Sequence, residues 1–559
     1  MKKIITDSSN FKDFIQRDAY YVDKTPQIIE FFEYSNNVIL MPRPRRFGKT
    51  LFLSTINYLF SNQEKEAHLF EDTFIYDTPF FKEHFGKYPV ISLTFKDVKE
   101  NDFEGMLHKI KIVIKHEIKK LLKTIDFSII DVDTESLENI LHNTASQQDY
   151  ENSLCALTEV LTSHYQTPCI VLIDEYDSPI IHSYLEGYYE EAISFFRNLL
   201  SAVFKGNELN IKKALLTGIL RVSGESMFSG LNNIKTITIL EKTLSTSCGF
   251  TREETIKLLD YYNVEKELKE EALTWYNSYL IGEDIITNPW SILNFVENKE
   301  FEPYWANTAS NDFIYDLINK SKDFQINLEK LIKNEPIEVR VNKNITFRDK
   351  ELEQKDNLFS LLFFSGYLKC KEKEIIQKSN GVKYTQCLMI PTNIECQMIF
   401  ETVIAGYVRE SFHNNRIEDL LESLTSGDLE RFEELLSYAL LEVVSYHDTT
   451  TENSYHMFLL GILTNLSNSY EIISNTEAGY GRVDIVLLHK KEKTKPAIVM
   501  ELKKINKFQE ETKEEALQKA VKQIQEKAYI SLAKKRGYNN ILAFGLVFDG
   551  KRCWVKMAI

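Results

Sequence analysis

MPRPRRFGKTLFLSTI, residues 41–56, follows a short apolar run (Val38 to Met41) and opens helix-like spacing from Thr50 to Phe60. At such a strand-to-helix turn, Gly-Lys-Thr has a physical job. Backbone N–H groups at the helix start hold phosphate oxygens, Lys49 pairs with the β- and γ-phosphates, and the Thr50 hydroxyl ligates Mg²⁺. The candidate nucleotide-holding residues here are Arg46, Phe47, Gly48, Lys49, Thr50 and Leu51. The stretch departs from the usual GxxxxGK[ST] pattern, because Arg43 stands where the first Gly belongs. Arg43, Arg45 and Arg46 also make the loop unusually basic. Taken alone, the tripeptide is weak evidence, since an ordinary capped helix accounts for it equally well.

Support lies downstream. Cys169-Ile-Val-Leu-Ile173 is an apolar strand run ending in Asp174-Glu175. An Asp at such a strand end orders the Mg²⁺ hydration shell, and an adjacent Glu polarises the attacking water. Loop, strand and acidic pair come in the expected chain order, with another strand run (Pro89 to Phe95) between them. That order suits phosphate-loop ATPases with a catalytic Glu. Thr217, ending the run KALLTGIL, is placed to sense the γ-phosphate, and Arg221 beyond it to stabilise transition-state charge, with Arg197 a rival. Near-continuous apolar strands alternating with helices imply an α/β fold with a parallel sheet covered on both faces.

At 559 residues the chain should form roughly two to four domains. The pattern divides it into 1–245, the phosphate-loop domain; 246–445, a helical middle region read as lid and connector; and 446–559, a second α/β unit. GFTREET at 249–255 carries a helix-start signal, a Thr before a Glu-rich turn. The composition, 43% hydrophobic and 27% charged, is globular. No apolar stretch approaches the roughly 18 residues of a membrane helix, so no membrane partner is expected. The N-terminus lacks an apolar core of signal-peptide length, which argues against secretion. Seven scattered cysteines without a CxxC pair argue against a disulfide framework or zinc site and fit a reducing cytoplasm. A net charge of −15 makes nucleic-acid binding dependent on a local basic patch.

In the last block, RVDIVLLHKKEKTKPAIVMELKK reads as two strands around a turn centred near Glu492-Lys493. Folding about that point sets Asp484 opposite Glu501, about 5 Å apart at Cβ, close enough to share a divalent ion. Glu501 and Lys503 then project from one strand face, where the lysine can orient water or stabilise a phosphate transition state. A half-buried hairpin with terminal charges is the bland alternative, but Glu501 interrupts an apolar run and a buried carboxylate needs a cation. Glu452 and His456 lie four apart on a helix, as do Gln523 and Lys527. A lone His on an apolar helix is more often structural.

Together these motifs resemble a bacterial family of predicted ATPases with a C-terminal PD-(D/E)XK-type nuclease domain. YYVDKT (20–25) followed by RPRRFGKT, IVLIDEYDSPI, LLTGILRVSGESMFSGLNN, NPWSILNF and YWANTASND are similar to its ATPase blocks. GRVDIV, MELK and QIQEKAY are similar to its nuclease part. The resemblance implies an AAA-ATPase-like domain, a restriction-endonuclease-like α/β domain, and metal-dependent phosphodiester cleavage by Asp484, Glu501 and Lys503. Gln523 and Glu452 would be accessory, Glu452 as a further metal ligand beside Asp484 and Glu501. It also implies that the Arg43 departure belongs to the family, and it suggests defence or mobile-element biology.

The leading expectation is an ATP- and Mg²⁺-dependent enzyme in which ATP hydrolysis, with Glu175 as catalytic residue, regulates nucleic-acid cleavage. DNA is favoured over RNA, and a homo-oligomer is a candidate partner state. The alternative is a signalling or scaffold NTPase whose C-terminal domain binds a partner or nucleic acid without cutting it. A third reading, binding without hydrolysis, ranks last because Glu175 is present.

Overall fold

In the computed structural model, residues 1–123, 125, 132–220, 233–305, 327, 330, 331, 334–343, 355–377, 381, 383–400, 414–443, 452–466, 469–478, 481–505, 511–526 and 529–558 are described. The chain forms two compact units, Met1–Phe313 with Asn334–Gln397, and Ile314–Lys333 with Met398–Ile559. This division gives 246–313 and 334–397 to the first unit and 314–333 and 398–445 to the second.

The first unit is built on strands β1 (Val38–Pro42), β2 (Val90–Thr94), β3 (Cys169–Asp174), β4 (Ile211–Gly218) and β5 (Ile234–Thr236). They form one all-parallel sheet in the order β2-β3-β4-β1-β5. β1 and β3 are buried along their whole length. Each large apolar side chain buried there contributes about 1.5–3 kcal/mol, which suits strands covered on both faces. Helices Lys49–Phe60, Phe103–Leu122 and Gln147–Tyr165 pack against the sheet. In sequence, β2 lies between the loop strand and the acidic strand. In space β4 takes that place and β2 is an edge strand. Parallel strands present their C-terminal ends together, so the loop after β1, the turn after β3 and the end of β4 meet at one edge.

The helix Arg252–Tyr261 starts with a capping box between Thr251 and Glu254. Around it, the region read as helical also holds two small antiparallel sheets. One joins β6 (Phe250–Thr251), β7 (Tyr279–Ile281) and β8 (Asp284–Thr287) in the order β6-β8-β7. The other joins β9 (Ile337–Arg340), β10 (Leu368–Gln377) and β11 (Lys383–Pro391) in the order β10-β11-β9. Strands of two to four residues are too short to show a period of two. The longer β10 is mostly polar and slips register between Cys370 and Glu372. Contrary to the cysteine reading, Cys370 and Cys387 of this hairpin are joined by a disulfide; five cysteines are free.

The second unit holds β12 (Tyr470–Ala478), β13 (Gly481–His489), β14 (Ala497–Lys504), β15 (Ile541–Asp549) and β16 (Arg552–Met557), hydrogen-bonded in that order. Only the central β14–β15 pair is parallel. Alternate residues of β13 and β14 feed two cores. Ile485, Leu487, Ile498, Met500 and Leu502 pack with Tyr455, Phe458 and Leu459 of helix Glu452–Leu463. Val486, Leu488, Ala497 and Val499 pack with Ile524 of helix Lys513–Glu526 and with Tyr529 and Ala533. Among the described residues no helix is long and apolar enough to cross a membrane.

Candidate functional site

At the edge where β1, β3 and β4 end, three side chains form a chain of hydrogen bonds. The Thr50 hydroxyl donates to Asp174 Oδ2 at 2.6 Å, and the Thr217 hydroxyl donates to Asp174 Oδ1 at 2.7 Å. Gly48, in the left-handed region at φ +85°, turns the chain into helix Lys49–Phe60. Lys49 is buried, and its Nζ donates to the carbonyls of Arg43 (3.1 Å) and Pro44 (2.9 Å). A cavity of about 370 Å³ opens here, lined by Arg46, Phe47, Gly48, Lys49, Thr50, Leu51 and Glu175 among others. That volume lies within the roughly 300–1,000 Å³ usual for small-molecule sites. A hydroxyl and a carboxylate facing each other beside a buried lysine fit a Mg²⁺-nucleotide: two oxygen ligands for the ion and a cation for the phosphates.

The departure at Arg43 has a local cause. This arginine is fully buried, and its guanidinium donates to the carbonyls of Pro42 (2.8 Å), Ile237 (2.9 Å) and Leu244 (3.1 Å). Burial lowers its pKa to about 10, which still leaves it charged at neutral pH. Phe47 anchors the other end of the loop, edge-on to Tyr279 at 4.9 Å, with its carbonyl accepting from Gly249 N–H. Both anchors hold the loop backbone where a glycine-rich loop would otherwise be flexible. Arg43→Gly, which restores the usual residue, should therefore destabilise the first unit by about 3 kcal/mol by leaving buried carbonyls without a donor. Urea unfolding measures it, and unchanged stability would contradict this account.

Other residues the sequence singled out fall as follows. Arg46 stacks on Trp290 (4.3 Å to the ring centroid) at the start of helix Pro289–Asn298. Arg221 lies outside the described residues. Arg197 sits in helix Tyr189–Phe204 and does not line the cavity. Sequence reasoning missed Trp290, although NPWSILNF was noted as a block. It also missed Glu395, a buried carboxylate that accepts from both Ser291 Oγ (2.9 Å) and Trp305 N–H (2.6 Å) and so fixes that helix start; burial pushes its pKa up to about 7.

In the second unit, β13 and β14 pair with Ile485 opposite Met500 and Leu487 opposite Ile498. One step further along this register come Asp484 and Glu501. The Asp484 carboxylate accepts the Leu502 N–H at 2.8 Å, and its carbonyl meets His456 Nε2 at 3.1 Å. His456 thus links helix Glu452–Leu463 to β13. Lys503 Nζ donates to Glu501 Oε1 at 3.0 Å, with the Glu501 side chain 1% exposed and that of Lys503 24%. Gln523 Nε2 donates to the Tyr529 hydroxyl at 3.1 Å. Burial raises the Tyr529 pKa; the Gln523 bond opposes this, and the negative charges of Glu501 and Asp484 add to it. Tyr529, the last residue of QIQEKAY, therefore joins this group, and sequence reasoning had not picked it out. Helix Lys513–Glu526 approaches closely enough to bring Gln523 in because β15 has Gly545 beside Glu501; a Cβ at Gly545 would lie 2.6 Å from Ala520 Cβ. Glu452 opens helix Glu452–Leu463, and its side chain lies outside the described residues. Among the described residues no cluster of three or more His, Cys, Asp or Glu could hold a metal. The pair Asp484 and Glu501 offers two oxygen donors, which suits Mg²⁺ or Mn²⁺ completed by water and substrate phosphate.

A parallel sheet with β4 between the loop strand and the acidic strand defines a phosphate-loop nucleotide-binding domain. The mixed sheet carrying Asp484, Glu501 and Lys503 is of nuclease type. Comparison with known families makes both specific: residues 7–228 match the family described as predicted AAA-ATPase, and residues 450–558 match the PD-(D/E)XK nuclease superfamily. An "Uncharacterized protein in vnfD 5'region" of Azotobacter chroococcum mcd 1 is 28% identical over 316 residues, 56% of this chain. The match spans 55% of that relative's own length.

Proposed function

We propose that this chain binds and hydrolyses Mg²⁺-ATP at the Gly48-Lys49-Thr50 loop, and that hydrolysis controls metal-dependent cleavage of nucleic acid by the C-terminal domain. The observation that carries the ATP reading is the hydrogen-bond chain that joins Thr50, which lines the cavity, to the buried Asp174 and Thr217. In this reading Lys49 exchanges its two loop carbonyls for phosphate oxygens. Thr50 and Asp174 hold the ion or its waters, Glu175 polarises the attacking water, and Thr217 and Arg221 respond to the γ-phosphate. Residues 1–245 form the ATPase, 246–445 the lid and connector, and 446–559 the nuclease. There Asp484 and Glu501, with Glu452, hold the ion, Lys503 stabilises the phosphate transition state, and Gln523 is accessory. The substrate is proposed as DNA before RNA, in a cytoplasmic defence or mobile-element setting and with a homo-oligomer as the working state. The Cys370–Cys387 bridge is the observation to set against a reducing compartment.

Purified protein with ATP and Mg²⁺ or Mn²⁺ should cut plasmid or single-stranded DNA, and the cleavage should change when ATP is omitted. No cleavage with any metal would discard the nuclease half. The net charge of −15 favours a second reading, an NTPase scaffold whose C-terminal domain only binds. It predicts phosphate release without any metal-dependent change in the C-terminal domain.

A further inference from the structure

Three residues beyond Asp174 stands another carboxylate, Asp177, only 1% exposed. By position it is the N-cap of helix Ser178–Glu186, yet its side chain makes no cap hydrogen bond. It reaches instead to the end of β4, where Oδ2 accepts the N–H of Ile219 at 2.7 Å and of Leu220 at 2.8 Å. Gly218 lies directly against it, since a Cβ there would sit 2.4 Å from Asp177 Oδ1. Only a residue without a side chain permits that approach.

The bonds around it run between two short stretches. Thr217 Oγ1 donates to Asp174, Tyr176 N–H donates to Thr217 O (3.1 Å), and the Tyr176 hydroxyl donates to Leu220 O (2.5 Å). With the two bonds to Asp177, they tie residues 174–177 to residues 217–220 along their whole length. Glu175 sits inside this bracket at φ +49°, a left-handed conformation that costs a non-glycine residue about 1–2 kcal/mol. Glu175, Asp177 and Ile219 all line the cavity that Lys49 and Thr50 line. Burying a carboxylate is costly, and burial raises the Asp177 pKa to about 6. A mere helix cap needs no such group, because an exposed Ser or Asn does that work.

We propose that Asp177 is a positioning residue for the hydrolysis step: it clamps the end of β4 to the acidic turn, so that Thr217 stays on Asp174 and Glu175 stays aimed into the cavity. It touches no reacting atom and acts through Glu175 and Thr217. The inference rests on the ATPase reading above, and goes beyond it in naming what holds that site's geometry.

The test uses the full chain, with phosphate release and the affinity for a fluorescent ATP analogue measured together. In Asp177→Ala, kcat should fall about 10- to 100-fold while the analogue's Kd stays within about 3-fold, because misplacement by an ångström damages chemistry more than binding. Asp177→Asn keeps an oxygen for the two N–H groups and should stay within about 5-fold of wild type. Gly218→Ala attacks the same contact from the other side and should also lower kcat without loss of affinity. An Asp177→Ala kcat equal to wild type overturns the proposal. So does equal loss of affinity and turnover in both Asp177 variants, which is what a merely structural carboxylate would give. If the wild-type protein releases no phosphate, the ATPase reading fails and this inference fails with it. If wild type turns over and Asp177→Ala does so equally, only this inference fails.

Discussion

Glu175→Gln is expected to bind ATP as tightly as wild type and to release phosphate about 10²–10³-fold more slowly. The substitution keeps size and shape and removes only the negative charge that would polarise water. The groups assigned to holding the nucleotide are elsewhere: Lys49 is buried in the loop, and Thr50 and Asp174 bond to each other at 2.6 Å. None of them depends on the Glu175 carboxylate. Its backbone also stays in place, because Tyr176 N–H and the Asp177 carboxylate hold the turn to β4. Filter retention of labelled ATP with single-turnover phosphate release separates the two effects. Retained ATP with slow release supports Glu175 as the catalytic residue. Release at the wild-type rate would mean that another group activates the water and that Glu175 is not the catalytic residue.

Much of this geometry was legible in the sequence because it follows from local chemistry. An apolar run must be buried, and Cys169–Ile173, being apolar throughout, had to lie inside a sheet covered on both faces. Hairpin register follows from the turn centre, and a turn near Glu492-Lys493 sets Ile485 opposite Met500 and Leu487 opposite Ile498, as found. Thr251 and Glu254 announced a helix start through their side-chain chemistry alone.

What was not legible depends on partners distant in sequence. Nothing around Lys213–Gly218 says that β4 inserts between β1 and β3, since any apolar strand can take a central place. Arg43 read as a defect in the loop because its three carbonyl partners include Ile237 and Leu244, some two hundred residues away. Asp177 looked like one more acid in a polar turn, and only the approach of Gly218 reveals what it grips. The edge strands β12 and β16 are hard to read because Tyr470–Ala478 interleaves polar residues with few apolar ones and Arg552–Met557 is short and begins and nearly ends on a charge.

Glu501→Gln should abolish cleavage, by about 10³-fold or more, without unfolding the domain that carries it. The two effects part because of where the charges sit. Glu501 is on the central strand β14 and its side chain is 1% exposed, while its partner Lys503 is 24% exposed. Taking away the carboxylate charge relieves the cost of holding an ion in the interior, and Lys503 can turn its ammonium to water. Removing one partner of a buried pair is destabilising when the other charge is left buried, but Lys503 reaches solvent, so the metal-free melting temperature should stay level or rise. Added Mg²⁺ or Mn²⁺ is different. A metal that binds only the folded state stabilises it by about 2.7 kcal/mol at a hundred times its Kd, and that increment should vanish in Glu501→Gln. Thermal melts of both proteins with and without metal therefore decide more than an activity assay can. Should wild type show no metal-dependent shift, Asp484 and Glu501 do not hold an ion, and the binding-only scaffold is the better account. A shift lost in the variant together with cleavage puts the ion and the chemistry on the same two carboxylates.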